Sequence, residues 1–376
     1  MRDRAALAAV LALATWACAS AAGASQAPSQ AAPLVIERQG SFFVGGPVIT
    51  APGTYDSRVC PGAACPTPAG QTLHVDHSYV QYQIPPNPRD LPLVLWHGCL
   101  STAWESTPDD REGYKSIFVR RGFAVYVIDQ PRQGRAGKSS QGMTITPTPG
   151  EQQNFNTWRL GIWPNFFPGV QFPQDPASVD HFFRQGGAVH GPGDPAVASD
   201  AVSALFERIG PGVLVTHSAS GPLGWLTRIK SQNTRAIVAY EPGMPTFGGY
   251  LFPEGEVPPA VAISDGTLVS PGSPIPLSQF LPLTQIPIQI ILGDNIPTAP
   301  DPMPWRDAWR VRLMFARQFA EVVNRHGGDA TVLHLPEARV YGNTHFPFSD
   351  VNNVQVADLL SKYLSEKGLD RRAGRR

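Results

Sequence analysis

The sequence predicts an α/β protein with a mostly parallel central sheet and helices on both faces of that sheet. Short, nearly continuous apolar runs rich in β-branched residues are typical of strands that are buried on both faces. Such runs occur at residues 91–96, 123–129, 212–217, 236–241, 286–294 and 330–335. Most of them are separated by segments long enough for a helix, and this alternation implies right-handed crossovers between parallel strands.

The regions around these runs supply the other predicted elements. Two strand-like runs come first, at residues 34–46 and 73–84, and the second alternates as a half-exposed strand does. Residues 307–325 repeat apolar side chains at three- and four-residue steps and end before Gly327, which is a helix-stop signal. Residues 351–366 form the last predicted amphipathic helix.

Two long segments interrupt the alternation of strands and helices. Residues 141–195 are rich in aromatic residues and prolines, and residues 242–285 are rich in Gly and Pro. Long segments between core elements are usually lids or binding loops rather than separate domains. We therefore expect one α/β domain over residues 71–366, with an aromatic lid insertion and a Gly/Pro-rich insertion. An N-terminal tether and β extension (26–70) precedes it and a basic tail (367–376) follows.

The charge balance argues against a nucleic-acid-binding protein. The 376 residues include 30 basic and 30 acidic side chains, so the formal net charge is zero. Phosphate recognition needs a basic surplus on one face, and only the arginines of the last six residues form such a run, which a solvated tail explains. No glycine-rich phosphate loop follows a predicted strand, so nucleotide use is disfavoured. We expect neither a cofactor nor a bound metal.

The N-terminus is typical of a secretory signal. Two arginines precede an apolar run over residues 5–17, and small residues with Ala-x-Ala spacing follow it. This run is too short to span a bilayer as a helix. We interpret residues 1–25 as a signal peptide, and expect a periplasmic or extracellular protein with no membrane span. The alternative is lipidation at Cys18, although Thr15 stands where such signals usually carry Leu.

Three cysteines remain after removal of the signal. Cys60 and Cys65 lie in the turn-forming sequence CPGAAC, where a short-loop disulfide is sterically feasible, and we expect them to pair. They could instead begin a zinc site, but no second Cys/His pair lies at a matching spacing. Cys99 is left without a partner in this scheme.

The main candidate for chemistry is the sequence THSASG at residues 216–221. A buried strand runs into it and a helix follows directly. A serine held in such a turn needs small neighbours two residues before and after it, and Thr216 and Ser220 meet that need. Ser218 is therefore the predicted nucleophile, and the amide of Ala219 can face a developing oxyanion. The usual first Gly of Gly-x-Ser-x-Gly is absent, so a capped helix start is the alternative.

A nucleophilic serine also needs a base. His326, His334 and His345 are the histidines that lie well beyond the serine in the chain. His326 ends a predicted helix, where we expect it to be solvated, and His334 lies inside a predicted strand. His345 lies in a loop just after the last strand, which is the position expected for the base, and we predict that it fills this role.

Two carboxylates compete to hold the base. Asp294 ends a strand, at the position where the acid most often lies in chains with the order serine, acid, histidine. Glu241 ends the preceding strand, and its side chain is one methylene longer, which would let it reach His345 from there. Spacing alone leaves this choice open. The loop after the first core strand begins His97-Gly98, and the amide of Cys99 is the expected second oxyanion donor.

Together these motifs resemble a small family of secreted bacterial esterases in the α/β-hydrolase superfamily. The resemblance covers residues 70–366 and rests on the sequences HGC, WESTPD, VYVIDQ, THSASG, AYEPG, GD, GNTHF and NNVQVADL. It implies the α/β-hydrolase fold, with Ser218 as nucleophile, His345 as base and Glu241 as acid, and it leaves Asp294 as the runner-up acid. The typical member has two adjacent, disulfide-linked cysteines after His-Gly, whereas this chain has only Cys99.

We therefore expect a secreted serine hydrolase that cleaves a small-molecule carboxylic ester through an acyl-enzyme. One alternative is an amidase or peptidase on the same scaffold, because the same machinery cleaves amides. The other is a secreted binding module without catalysis. A homodimer is compatible with the sequence.

Overall fold

The computed structural model describes residues 32–59, 65–243 and 249–372, and the chain from Leu34 onward forms one compact unit. The predicted signal peptide (1–25), Cys18 and Cys60 lie outside the described residues. Signal cleavage and the Cys60–Cys65 disulfide therefore stay predictions.

Strands and helices alternate through most of the described chain. The strands are β1 (Arg38–Val44), β2 (Val48–Thr50), β3 (Thr72–His74), β4 (Ser78–Ile84), β5 (Leu93–Trp96), β6 (Val125–Asp129), β7 (Gly161–Ile162), β8 (Asn165–Phe166), β9 (Gly212–His217), β10 (Thr234–Tyr240), β11 (Tyr250–Pro253), β12 (Val261–Ala262), β13 (Leu268–Val269), β14 (Gly272–Ile275), β15 (Pro287–Leu292) and β16 (Asp329–His334). The helices are α1 (Tyr114–Arg120), α2 (Glu151–Thr157), α3 (Pro176–Arg184), α4 (Pro195–Ile209), α5 (Ser220–Lys230), α6 (Leu277–Phe280), α7 (Pro304–Arg325) and α8 (Asn353–Glu366), with 3-10 turns at Leu281–Gln285 and Leu335–Ala338. Within the described ranges, no helix combines the length and the apolar character needed to cross a membrane.

The central sheet has eight strands in the described chain, in the order β1-β4-β6-β5-β9-β10-β15-β16. From β6 to β16 every neighbouring pair is parallel, and β4 is antiparallel to both of its neighbours. The predicted mostly parallel sheet is therefore confirmed. Strand β1, from the N-terminal extension, forms one edge of this sheet.

Alternation along the core strands sorts their side chains onto two covered faces. In β5, Leu93 and Leu95 pack with residues of α1 and α8, whereas Val94 and Trp96 pack with residues of α4, α5 and α7. Because helices cover both faces, the strands read as continuous apolar runs in the sequence.

The two insertions lie on opposite faces of the sheet. The first contains α2, β7, β8 and α3, and its Phe155, Trp158 and Phe182 are buried in the cluster that includes α1 and α8. The second contains β11 to β14 and α6, and its Tyr250 and Phe252 are buried in the cluster that includes α7. Both insertions are thus anchored in the core by large aromatic side chains.

Candidate active site

Ser218 occupies a strained turn between β9 and α5. Its φ of +53° lies in the left-handed region, which is unusual for a residue with a side chain and is maintained only when the surroundings enforce it. The amide of Ser218 donates to the carbonyl of Tyr240, at the end of the neighbouring strand β10, at 3.0 Å. The turn is also braced by Ser220, whose hydroxyl accepts from the amide of His217 and contacts the carbonyl of Trp96 at 2.8 Å.

His345 links Ser218 to Glu241 in a continuous series of contacts. Its Nε2 lies 2.9 Å from the Oγ of Ser218, and its Nδ1 lies 3.3 Å from Oε2 of Glu241. All three side chains are at most 2 % exposed. Since an ionised carboxylate can only accept, the Nδ1–H donates to Glu241, which leaves Nε2 free to accept from the serine hydroxyl. The structure thus brings these three predicted residues together.

Glu241 is held as an anion although it is completely buried. Burial raises its pKa, but the positive charge of Arg159 and the contact with His345 outweigh this and lower the pKa to about 2. Nη2 of Arg159 donates to Oε1 of Glu241 at 2.5 Å, and the amide of Gly293 donates to the same oxygen at 2.5 Å. Glu241 therefore presents a fixed negative charge to the imidazole.

The imidazole of His345 is neutral near neutral pH. Burial lowers its pKa below the usual 6.5, and the adjacent Glu241 only partly opposes this shift. Its backbone is bound on both sides, because its amide donates to the carbonyl of Trp158 at 2.9 Å and its carbonyl accepts from Nε2 of His217 at 2.8 Å. A neutral, fixed imidazole can accept a proton from the serine.

The loop that carries His345 is anchored by two aspartates. Asp350 accepts from the amide and the hydroxyl of Thr344 and from the side chain of Asn343. Burial raises the pKa of Asp350 to about 7, although these three donors favour its charged form. Asp294 accepts from the amide of Gly342 at 2.7 Å. Asp294 therefore binds the loop of His345, while Glu241 contacts the imidazole itself.

Two backbone amides beside Ser218 are free to bind an anion. Within the described part of the chain, the amides of Ala219 and Cys99 donate no hydrogen bond. The loop that carries Cys99 passes directly over the turn, since a Cβ atom on Gly98 would lie 2.7 Å from Cβ of Ser218 and 3.0 Å from the nitrogen of Ala219. Only glycine fits at this close approach. The predicted pair of amides thus borders the serine.

Three residues in contact with the site were not predicted from the sequence. Arg159 follows α2 in the first insertion, and its guanidinium stacks at 4.1 Å on the ring of Trp309 from α7. That ring also lies 5.0 Å from the imidazole of His345. His217 lies inside the serine motif, but its position in the sequence does not reveal its contact with the carbonyl of His345. No local pattern marks the other two, because each acts on a residue distant in the chain.

The remaining candidate histidines lie elsewhere. His326 was expected to be solvated, but it is partly buried and its Nε2 lies 2.7 Å from a carboxylate oxygen of Glu256. His334 ends β16 and is partly buried. His97 contacts Asp129 at 3.4 Å. Among the described residues, none of these three side chains forms a hydrogen bond with Ser218.

Comparison with known proteins supports the predicted fold. No family model matches the chain. Over 319 residues it is 26 % identical to a protein of a fungal species named "Probable secreted lipase phiG", covering 77 % of this chain and 86 % of that protein. It is also similar to the solved structure of a novel bacterial esterase, with a TM-score of 0.69 and 28 % identity over 90 % of this chain and 98 % of that chain. Together with the strand order, this similarity shows an α/β-hydrolase fold.

Proposed function

We propose that this protein is a secreted carboxylic-ester hydrolase that works through an acyl-enzyme on Ser218. The observation that carries the proposal is the buried series of contacts from Ser218 through His345 to Glu241, beside two unpaired amides. The names of the two relatives, a lipase and an esterase, support the same reaction class.

In the first step, Oγ of Ser218 attacks the ester carbonyl carbon while its proton passes to Nε2 of His345. The carbonyl electron pair moves onto oxygen, where the amides of Ala219 and Cys99 stabilise the developing charge. When the tetrahedral intermediate collapses, the alkoxide leaves with the proton from His345, and the acyl group stays on the serine.

The second step repeats this chemistry with water. His345 removes a proton from water, the resulting hydroxide attacks the acyl carbon, and the carboxylic acid leaves as Ser218 recovers its proton. Through both steps Glu241 keeps the imidazole in the tautomer that exposes Nε2 and stabilises the imidazolium. Its low pKa ensures that it stays ionised throughout.

The decisive variant is Ser218→Ala, which removes the attacking oxygen. We expect turnover of p-nitrophenyl butyrate to fall by at least about a thousandfold, and labelling by a fluorophosphonate to be lost. Ser203→Ala is the matched control, because the Ser203 hydroxyl donates only to a carbonyl of its own helix α4. Unchanged activity in Ser218→Ala would refute the assignment, and a wild-type protein that takes no label would indicate a binding module.

Export is the part of this proposal that rests on sequence. The interpretation of residues 1–25 as a signal peptide agrees with the word "secreted" in the name of the fungal relative. The mass of the exported chain tests it, since retention of these residues would contradict signal cleavage.

A further inference from the structure

Arg312 is a cation next to the proposed active site that forms no ion pair with any residue the structure describes. It lies on α7, and its guanidinium carbon is 4.6 Å from the centre of the Trp309 ring. Within the described chain, it makes no hydrogen bond or ion pair with any residue. A partly buried charge is usually paired, because removing it from water without a partner is costly. Arg312 therefore has donors available for a ligand.

Arg312 lines a cavity of about 450 Å³ between α7 and the second insertion. Ala308, Arg312 and Phe315 form its wall on the helix, and none of the described residues that line it is acidic. The opposite wall includes Tyr250 and Val269. It also contains three residues with hydroxyl groups, which are Thr267, Ser270 and Ser273. The cavity thus offers apolar surface together with one positive charge.

This cavity lies beside the backbone of the turn that carries Ser218. Its lining includes Pro242 and Gly243, which follow Glu241 in the chain, and the amide of Gly243 donates to the carbonyl of Ser218 at 3.0 Å. Trp309 lies next to both Arg312 and His345, since its ring centre is 4.6 Å from the guanidinium carbon of Arg312 and 5.0 Å from the ring of His345. The guanidinium carbon of Arg312 therefore lies no farther from the centre of the His345 ring than the sum of these two distances.

The charges around the site leave a positive surplus. Glu241 carries one negative charge, and the neighbouring Arg159 already compensates it. Burial and the charge of Arg159 lower the pKa of Arg312 to about 10, and the negative charge of Glu241 opposes this shift only in part, so Arg312 remains protonated at neutral pH. An anionic group in the cavity would compensate this second cation, and the planar guanidinium suits a carboxylate in bidentate geometry.

We propose that Arg312 binds a carboxylate of the substrate, so that the protein prefers esters that carry a free carboxylate, such as monoesters of dicarboxylic acids. This inference rests on the proposed function and specifies its substrate class. The apolar walls beside Tyr250 and Phe315 would cover the methylene groups between the carboxylate and the ester.

The test compares charged and neutral esters of similar length. For wild type, kcat/KM should be higher on mono-p-nitrophenyl glutarate than on p-nitrophenyl butyrate. Arg312→Gln should lower the ratio of these two values by about 10- to 100-fold, mainly through the KM of the glutarate ester. Arg312→Lys should recover part of the ratio, because lysine keeps the positive charge but cannot form the two parallel hydrogen bonds of a guanidinium group. A second pair, the butyrate esters of 4-hydroxybenzoate and of phenol, places the carboxylate on the alcohol part instead.

Arg317→Gln is the matched control, since it removes one charge from the outer face of the same helix, where Arg317 pairs with Glu337. It should leave the ratio unchanged. Equal losses on charged and neutral esters in Arg312→Gln would overturn the inference and indicate that Arg312 only supports Trp309. A ratio that Arg312→Gln leaves unchanged in both substrate pairs would also overturn the inference, but it would leave the proposed function intact.

Binding of glutarate is measured separately by calorimetry. If Ser218 proves inert towards every ester, the proposed function fails, and calorimetry then tests the site alone. Weaker binding to Arg312→Gln than to wild type would support the carboxylate site, and equal or absent binding would overturn it.

Discussion

Glu241 and Asp294 follow adjacent parallel strands, β10 and β15, but their side chains have different environments. Glu241 is completely buried, has a φ of +51°, and contacts the imidazole of His345. Asp294 is partly exposed, and its carboxylate accepts from the amides of Asn295 and Gly342. Both carboxylates thus follow the carboxyl ends of neighbouring strands, but that of Glu241 contacts a side chain and that of Asp294 contacts the backbone of a loop.

The difference follows from which donors each carboxylate meets. Arg159 donates to a carboxylate oxygen of Glu241 but only to the backbone carbonyl of Asp294. Gly293 lies between them in space, and a Cβ atom there would be 2.5 Å from the carbonyl of Thr344 and 3.1 Å from Oε1 of Glu241. The absence of a side chain at Gly293 therefore lets the loop of His345 approach both strand ends.

The largest expected effect is that of Glu241→Gln. A carboxamide can donate to Nδ1 of His345, which favours the tautomer with its proton on Nε2, and that nitrogen can then no longer accept from Ser218. We expect kcat on p-nitrophenyl butyrate to fall by about 10³- to 10⁴-fold with the native circular dichroism spectrum retained, although the variant should also be less stable because the buried Arg159 loses its charged partner. A variant that retains near wild-type kcat would show that this carboxylate has no role in the reaction.

The next effect is on stability, through Arg159→Met. This change leaves the buried Glu241 charge without its partner, and we expect the free energy of unfolding at pH 7 to fall by about 3–5 kcal/mol. Because the folded pKa of Glu241 is depressed to about 2, its ion pair stabilises the wild type above pH 4.5, and this contribution is lost as the pH falls towards 2. Urea unfolding at several pH values measures both quantities.

Arg317→Gln, which breaks an exposed pair, is the control for this experiment and should show a much smaller loss of stability. Equal losses in the two variants would contradict the importance assigned to the buried pair.

The smallest effect is expected for Asp294→Asn. One of its two amide donors would lose its acceptor, at a cost of about 1 kcal/mol, while His345 keeps its contact with Glu241. We expect less than about a tenfold loss of kcat/KM on p-nitrophenyl butyrate. A larger loss for Asp294→Asn than for Glu241→Gln would reverse the comparison and make Asp294 the acid.

The fold could be predicted because its signals are local. Runs such as residues 212–217 are apolar throughout, since helices cover both sheet faces, and α7 shows its buried stripe at helical spacing. The serine turn was also visible, because its strain requires small residues next to Ser218 in the chain. The predicted start of α7 at residue 307 was late by one turn, since the helix begins at Pro304.

By itself, the sequence determined the α/β architecture and the three residues that could complete a series with His345: Ser218, Glu241 and Asp294. Spacing left the two carboxylates open and the family resemblance favoured Glu241, which the structure places against the imidazole. Only the tertiary structure placed Arg159, Trp309 and Arg312 beside the site. The physical reason is that these contacts depend on donors far away in the chain, such as Arg159, which lies 82 residues before Glu241. Strand periodicity records which face a side chain occupies, whereas a buried charge is positioned by whichever distant segment packs against it.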